Sequence, residues 1–425
     1  MAKPYVEQFY EALKTGNTDK AIFLTYFMKD NINEIYKYKT PLYWAKKFNN
    51  EKVIEVLEKK GAIDGGVNDE LIVQLEEHMM FAAKNNVVEG IKVALISGVD
   101  VNYQDENGYT ALMMASKLGC YDVVDKLLME GANTEIKGKK GETALTLAIE
   151  FNKDNTRIIE KLILANADVN AIGLDDKLPL CIAAENTNEK ITALLIQKGA
   201  DVNLKDKAGN TPLIYALNNW NNTSDLHNVV DILVNAGALV NEKNSKGVTP
   251  LMLACYHGYY EEAVKLIKAK ALVNEVDNGY TLYGTALKAA SVFGKTEIIN
   301  LLIQNGAVVD LKDRFGSTPL MQASRNGNFK SVVMLIEAGA DINAQNCRGY
   351  TPLMEASESG QIDVIKELIR KGADVNIKNN EGKSAISLAS NIRTRIAIMS
   401  AVKEKNKNES IDNNPSFWGR IKDII

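Results

Sequence analysis

Apolar residues recur at helical spacing along the second half of the chain, and polar residues fill the positions between them. Two such stretches contain Val332, Val333, Leu335 and Ile336, and then Val364, Ile365, Leu368 and Ile369. Residues three and four positions apart lie on the same face of a helix. The pattern therefore predicts amphipathic helices whose apolar faces form a core.

A repeat of 33 residues organises these helices. The run Gly-Tyr-Thr-Pro-Leu-Met-Glu-Ala at 349–356 recurs as Gly-Ser-Thr-Pro-Leu-Met-Gln-Ala at 316–323, and similar runs occupy 209–216 and 247–254. The threonine position marks each unit and falls at 40, 77, 110, 143, 178, 211, 249, 285, 318, 351 and 384. Alanine stands five residues after every one of these markers. Such self-similarity predicts a repeat architecture and overrides the estimate of about three domains from length alone.

The repeated residues also predict where each helix begins and ends. The threonine hydroxyl can accept a hydrogen bond from an unpaired backbone N–H at a helix start, and the following proline has no N–H to leave unpaired. Glycines nine residues after the markers end the first helix, and Gly-Ala pairs end the second. Each unit is therefore predicted to be two helices and a hairpin-like turn, with weaker helix starts where the marker is Glu77 or Leu178.

These residues resemble the ankyrin repeat family in the 33-residue period, the Thr-Pro-Leu-x-x-Ala start and the Gly-Ala-Asp-Val-Asn finish. The resemblance covers residues 5–400 and implies an all-α fold, an ankyrin-repeat solenoid of about 11–12 helix-turn-helix units with hairpin-like connecting turns. It also implies that the first helices and the hairpin tips lie on a concave side. We expect a degenerate N-terminal capping repeat at 1–39, an ankyrin repeat domain at 40–402, a polar linker at 403–414 and a short amphipathic C-terminal segment at 415–425.

Composition and charge exclude several classes of function. The chain has 50 Lys and Arg against 54 Asp and Glu, so it lacks a basic excess for a phosphate backbone and we expect no nucleic-acid partner. It shows neither the apolar region of a signal peptide nor an apolar run long enough to span a membrane. The four cysteines are widely spaced, which favours reduced thiols and a cytoplasmic location, in the protein's own cell or in a host cell.

The titratable residues form no recognisable catalytic or metal-binding motif. The three histidines are far apart, and Cys255 and His257 lack a third group to orient them. The Gly-Lys-Thr at 294–296 and the Gly-Lys-Ser at 382–384 lack the upstream glycine of a phosphate-binding loop. We therefore expect no enzyme activity, no cofactor and no metal.

The C-terminal segment departs from the repeat. Phe417, Ile421 and Ile424 fall on one helical face, next to Trp418. Four hypotheses remain open for this segment: a cap that folds back onto the last repeat, a short helix that binds a partner, a contact with a membrane, or disorder.

The repeats favour a monomeric, non-enzymatic scaffold that binds one or more protein partners on the concave face of the solenoid. The alternative is a host-directed effector or a membrane-associated adaptor that recruits a partner through its C-terminal segment. Aromatic and arginine side chains often dominate binding energy. At the positions that the family exposes on this face, and in the tip insertion at 275–284, these residues are Tyr256, His257, Tyr280, Tyr283, Phe293, Arg314, Phe315, Arg325, Arg348 and Tyr350. The competing interpretation is that some of the aromatics, Phe293 above all, pack within their own units.

Overall fold

The structure is a computed structural model, which describes residues 5–28, 39–62, 69–152, 156–219, 224–279, 281 and 283–408. These residues contain 23 α-helices and no strand, so the predicted all-α class is confirmed. The chain divides into two compact units, Met1–Pro179 and Leu180–Ile425.

Among its described residues, the first unit contains ten α-helices, which follow one another as pairs. They are α1 (Tyr5–Lys14), α2 (Thr18–Phe27), α3 (Pro41–Lys47), α4 (Glu51–Lys59), α5 (Asp69–Lys84), α6 (Val88–Ile96), α7 (Ala111–Leu118), α8 (Tyr121–Met129), α9 (Ala144–Phe151) and α10 (Thr156–Leu164). The pair α1 and α2 precedes the first marker, at the place predicted for a degenerate N-terminal unit. Phe9 and Ala12 of α1 are buried in one apolar cluster with Leu42 and Ala45 of α3.

The described residues of the second unit form six further pairs of α-helices, followed by a single helix that belongs to the last repeat. Its helices are α11 (Pro179–Glu185, whose first residue belongs to the first unit), α12 (Glu189–Gln197), α13 (Pro212–Asn218), α14 (Ser224–Asn235), α15 (Pro250–His257), α16 (Tyr260–Lys268), α17 (Ala286–Val292), α18 (Thr296–Gln304), α19 (Pro319–Arg325), α20 (Phe329–Glu337), α21 (Pro352–Glu358), α22 (Ile362–Arg370) and α23 (Ile392–Asn408). The odd-numbered helices up to α21 are the first helices of their repeats.

The helix boundaries follow the predicted signals. The Thr110 hydroxyl accepts the N–H of Met113 at 3.2 Å, and the Thr351 hydroxyl accepts that of Met354 at 3.3 Å, so both threonines are N-caps. Gly119 ends α7 in the left-handed conformation, with φ at 78°. Glycine adopts this conformation without steric strain.

The fixed alanines lie in the core between repeats. Ten of the eleven are buried, and Ala389 in the last repeat is half-buried. First helices pack on the first helices of adjacent repeats, as α7 does on α9 and α19 on α21. The leucines two residues after their markers are buried as predicted: Leu42, Leu112, Leu145, Leu213, Leu251, Leu287, Leu320 and Leu353.

Two repeats depart from the predicted pattern. The prediction that a helix starts at Glu77 is wrong, because α5 begins at Asp69 and continues through Glu77. Its sequence has neither proline nor glycine to interrupt a helix, and most of its residues are good helix formers. In the last repeat, residues 385–388 form turns instead of a first helix. The helix that follows, α23, packs on α22 and extends into the stretch assigned to the polar linker.

Candidate functional site

An acidic or amide side chain shapes the hairpin tips that border the first helices. In one tip of the second unit, Asp313 Oδ1 accepts the backbone N–H groups of Phe315 and Ser317, both at 2.8 Å. In the next tip, Asn346 Oδ1 accepts those of Arg348 and Tyr350, at 2.9 and 3.0 Å. These hydrogen bonds fix the tip backbone and so hold Phe315 and Arg348 in defined positions.

Sequence reasoning missed these tip residues, although a signal was present. An Asp or Asn stands five residues before six of the markers, and the residues are Asp105, Asp206, Asn244, Asp313, Asn346 and Asn379. The tips also pair with each other along the chain: the Cys347 N–H donates to the Phe315 carbonyl and the Asn380 N–H to the Arg348 carbonyl, both at 3.0 Å.

Aromatic side chains of the second unit form a cluster around Tyr256 at the end of α15. The Tyr256 ring makes edge-to-face contacts with Tyr283 at 4.8 Å, Phe293 at 4.9 Å and His257 at 5.3 Å between centroids. Tyr256, Tyr283 and Tyr215 line a cleft of about 410 Å³, the tyrosine cleft. Because Tyr256 is only 8% exposed, it supports the wall of this cleft and offers little surface of its own.

A second cleft lies next to the first, and Thr281 lines both. Its volume is about 340 Å³, and its wall includes Phe315, Arg325, Arg348 and Glu355. We call it the arginine cleft. Arg325 Nη1 lies 3.8 Å from Glu355 Oε2, and Arg348 Nη2 lies 3.9 Å from Glu355 Oε1. Burial raises the pKa of the Glu355 carboxyl, and the two guanidinium groups oppose this shift only in part.

The predicted site residues divide by exposure. Phe293 and Phe315 are 48% and 58% exposed, and Arg314, Arg325 and Arg348 are also exposed. His257 and Tyr283 are half-buried. The expectation of exposed side chains is wrong for Tyr256 and Tyr350, which are 8% and 5% exposed. Tyr256 is enclosed by the aromatic cluster, and the Arg348 guanidinium covers the Tyr350 ring at 4.5 Å from its centroid.

Several predicted residues lie outside the described part of the chain. They are Tyr280 in the tip insertion, residues 409–414 of the linker, and the whole C-terminal segment with Phe417, Trp418, Ile421 and Ile424.

The structure shows the surroundings of the two residues that the sequence raised as a possible nucleophile pair, Cys255 and His257. Burial raises the pKa of the Cys255 thiol, which disfavours the nucleophilic thiolate. Burial and the nearby Lys295 ammonium lower the pKa of His257, so the imidazole is neutral at pH 7. Within the described ranges, no group of three or more His, Cys, Asp or Glu side chains is arranged to hold a metal ion. Each helix among these residues is too short or too polar to cross a lipid bilayer.

Comparisons with known proteins identify the repeat. The family model for ankyrin repeats, which describes three copies of the repeat, matches residues 79–172, 151–244, 180–277, 221–313, 251–346, 286–379 and 339–409. A search of curated proteins gives no match. Among solved structures, the crystal structure of the human ASB11 ankyrin repeat domain matches with a TM-score of 0.47 and 26% identity, and the match covers 53% of this chain and 98% of that one. The family matches together extend from residue 79 to residue 409, and the chain therefore belongs to the ankyrin repeat family.

Proposed function

We propose that the protein is a non-enzymatic scaffold that binds a protein partner on the first helices and hairpin tips of its second unit. Ankyrin repeats are generally protein–protein interaction modules. In a repeat protein of this kind the core lies between neighbouring units, which leaves the outward side chains of the first helices and tips free to bind.

The exposed aromatic and arginine side chains of the second unit carry this proposal. Phe293 and Phe315 are 48% and 58% exposed, and they come from successive repeats. Arg314, Arg325 and Arg348 are exposed in the same region of the sequence. Aromatic and arginine residues supply a large share of the hot spots of protein interfaces. Exposed phenylalanine is costly in water, so two such side chains beside two clefts favour a surface that a partner covers.

The absence of catalysis is part of the proposal. The pair Cys255 and His257 was the strongest nucleophile candidate in the sequence. A buried thiol with a raised pKa is not an activated nucleophile, and burial and the nearby Lys295 ammonium also lower the pKa of His257. The host-directed effector and the membrane-associated adaptor depend on residues 415–425, which lie outside the described residues.

A double substitution tests the proposed surface. The full-length chain is immobilised and used to capture partners from native lysate, with quantitative mass spectrometry as the readout. We expect Phe293→Ser combined with Phe315→Ser to reduce recovery of the captured partner by about tenfold or more, because each residue would lose a hot-spot contact. The melting temperature should remain close to that of the wild type, since both side chains are largely exposed.

Phe329→Ser is the matched control. Phe329 is 43% exposed and belongs to the same unit, but it lies on the second helix α20. The Phe329→Ser substitution should leave recovery of the partner unchanged. Equal recovery with the control and the double variant would move the interface away from the first helices and tips.

A further inference from the structure

The arginine cleft contains two guanidinium groups without hydrogen-bond acceptors in the described part of the chain. The Arg325 and Arg348 side chains are 55% and 62% exposed. Their nearest carboxylate, Glu355, lies 3.8 and 3.9 Å away, which exceeds hydrogen-bond distance. By contrast, Arg370 in the same unit donates two hydrogen bonds to the Glu367 carboxylate, at 2.8 and 2.5 Å.

The surroundings hold Arg348 in place before any ligand binds. Its guanidinium carbon lies 4.5 Å from the centroid of the Tyr350 ring. Tyr350 is itself buried, and its hydroxyl hydrogen-bonds to Glu358 Oε1 at 3.3 Å. The backbone N–H groups of Arg348 and Tyr350 both donate to Asn346 Oδ1. A side chain ordered in this way loses little conformational entropy when a ligand binds.

The exposed charge of the cleft is positive. Lys288 and Asp313 also line it, but they form a buried ion pair with 2.6 Å between Nζ and Oδ2, so their charges cancel. The Glu355 side chain is 5% exposed, and its Oε2 is buried without a hydrogen-bond partner among the described residues. The guanidinium groups of Arg325 and Arg348 are therefore the charges that an incoming group meets first. This local excess stands out in a chain with a formal net charge of −4.

An apolar surface adjoins the two arginines. Phe315 is 58% exposed at the cleft, and Val292 and Met321 also line it. We propose that the arginine cleft binds an acidic segment of a protein partner. One carboxylate of this segment lies between the guanidinium groups of Arg325 and Arg348, and a neighbouring apolar side chain packs on Phe315. This inference rests on the proposed function and adds the chemical class of the partner.

Short fluorescent peptides test the proposed specificity without knowledge of the partner. One peptide carries a central Leu-Glu-Glu-Leu, and matched peptides replace both Glu residues by Gln, by Lys or by phosphoserine. Binding to the full-length chain is measured by fluorescence anisotropy at low ionic strength, where charge pairing is least screened. We expect the Glu peptide to bind at least about tenfold more tightly than the Gln peptide, and the Lys peptide not to bind.

Variants then assign the binding to the cleft. Arg325→Gln combined with Arg348→Gln should weaken binding of the Glu peptide at least about tenfold, because both charged donors are lost. Arg157→Gln is the matched control, since Arg157 is also exposed and stacks on a tyrosine, Tyr121, at 4.7 Å. The control should bind the Glu peptide like the wild type, and the melting temperatures of both variants confirm folding.

The outcomes separate this inference from the proposed function. Equal binding of the Glu and Gln peptides, binding of the phosphoserine peptide alone, or equal loss in the Arg157 control would overturn the acidic-segment proposal. The same arginine variants are also used in partner capture from lysate. If the phenylalanine variants lose the partner while the arginine variants keep it, the proposed function stands and the inference fails.

Discussion

Lys288 of α17 and Asp313 of the following hairpin tip form a buried ion pair that joins two repeats. Their side chains are 8% and 3% exposed, so water screens their attraction only weakly. Asp313 has a second role, because its Oδ1 accepts the backbone N–H groups of Phe315 and Ser317. The pair therefore fixes both the position of the tip and the wall of the arginine cleft.

Removal of the Lys288 charge should destabilise the second unit strongly. Lys288→Met keeps a long apolar stem but leaves the Asp313 carboxylate buried without its counter-charge. We expect a loss of about 3–5 kcal/mol in the free energy of unfolding, measured by urea denaturation with circular dichroism. Lys371→Met is the control, because the Lys371–Glu337 pair is 3.9 Å long and more exposed, and it should cost less than about 1 kcal/mol. A similar small cost at both positions would show that the buried pair contributes little.

At the residue scale, spacing predicts only the roles that every repeat shares. The burial of Ala323 and the N-cap of Thr351 follow from their places in the unit. The same spacing predicts an exposed Tyr350, but the ring is covered by the guanidinium of Arg348, a residue that is specific to this repeat. Tyr256 is buried by Tyr283, from the tip insertion, and by Phe293, from the next repeat. Such contacts depend on pairs of variable residues, which the repeat pattern does not encode.

At the scale of the helices, the first-helix layer accounts for most of the regularity. The helices α17, α19 and α21 pack on one another in sequence, and their fixed alanines are fully buried, so a close-packed core leaves little room for a larger side chain there. At Glu77, where both the threonine and the proline are missing, the helix boundary moves, and α5 begins early, at Asp69. The sequence therefore predicts which elements exist, and it predicts their ends only where a cap or a glycine marks them.

The alanine contact predicts a specific cost for a larger side chain. Ala323 of α19 is fully buried, so Ala323→Leu should force α19 away from its neighbours and cost about 1–3 kcal/mol of unfolding free energy. Ala389→Leu makes the same exchange at the equivalent position of the last repeat, where the side chain is half-buried and the first helix is replaced by turns. We expect a clearly smaller effect there in thermal and urea denaturation. If the two variants lost equal stability, close packing of the first helices would not explain the fixed alanine.

At the scale of the whole molecule, the last repeat of the second unit requires a capping element. A terminal repeat has no following repeat to bury its apolar surface. The helix α23 meets this need. Its buried residues include Ala397, Ile398, Ala401 and Val402, at helical spacing, and it packs on α22. Arg393, Lys403 and Glu404 are exposed on the same helix. From the sequence, a cap is only one of the hypotheses for the segment at 415–425, and α23 is not predicted, because the repeat pattern ends near Ala401 and gives no sign that a helix continues to Asn408.

Two truncations should therefore differ in stability. Removal of residues 409–425 keeps α23, and we expect the melting temperature to change by less than about 2 °C. Removal of residues 392–425 uncovers α22 and deletes the buried Ile398 and Val402, whose burial contributes about 1.5–3 kcal/mol each. The melting temperature should then fall by at least about 5 °C, since 1 kcal/mol corresponds to about 2–4 °C in a domain of this size. A comparable fall after the shorter truncation would assign the capping role to the C-terminal segment and remove it from α23.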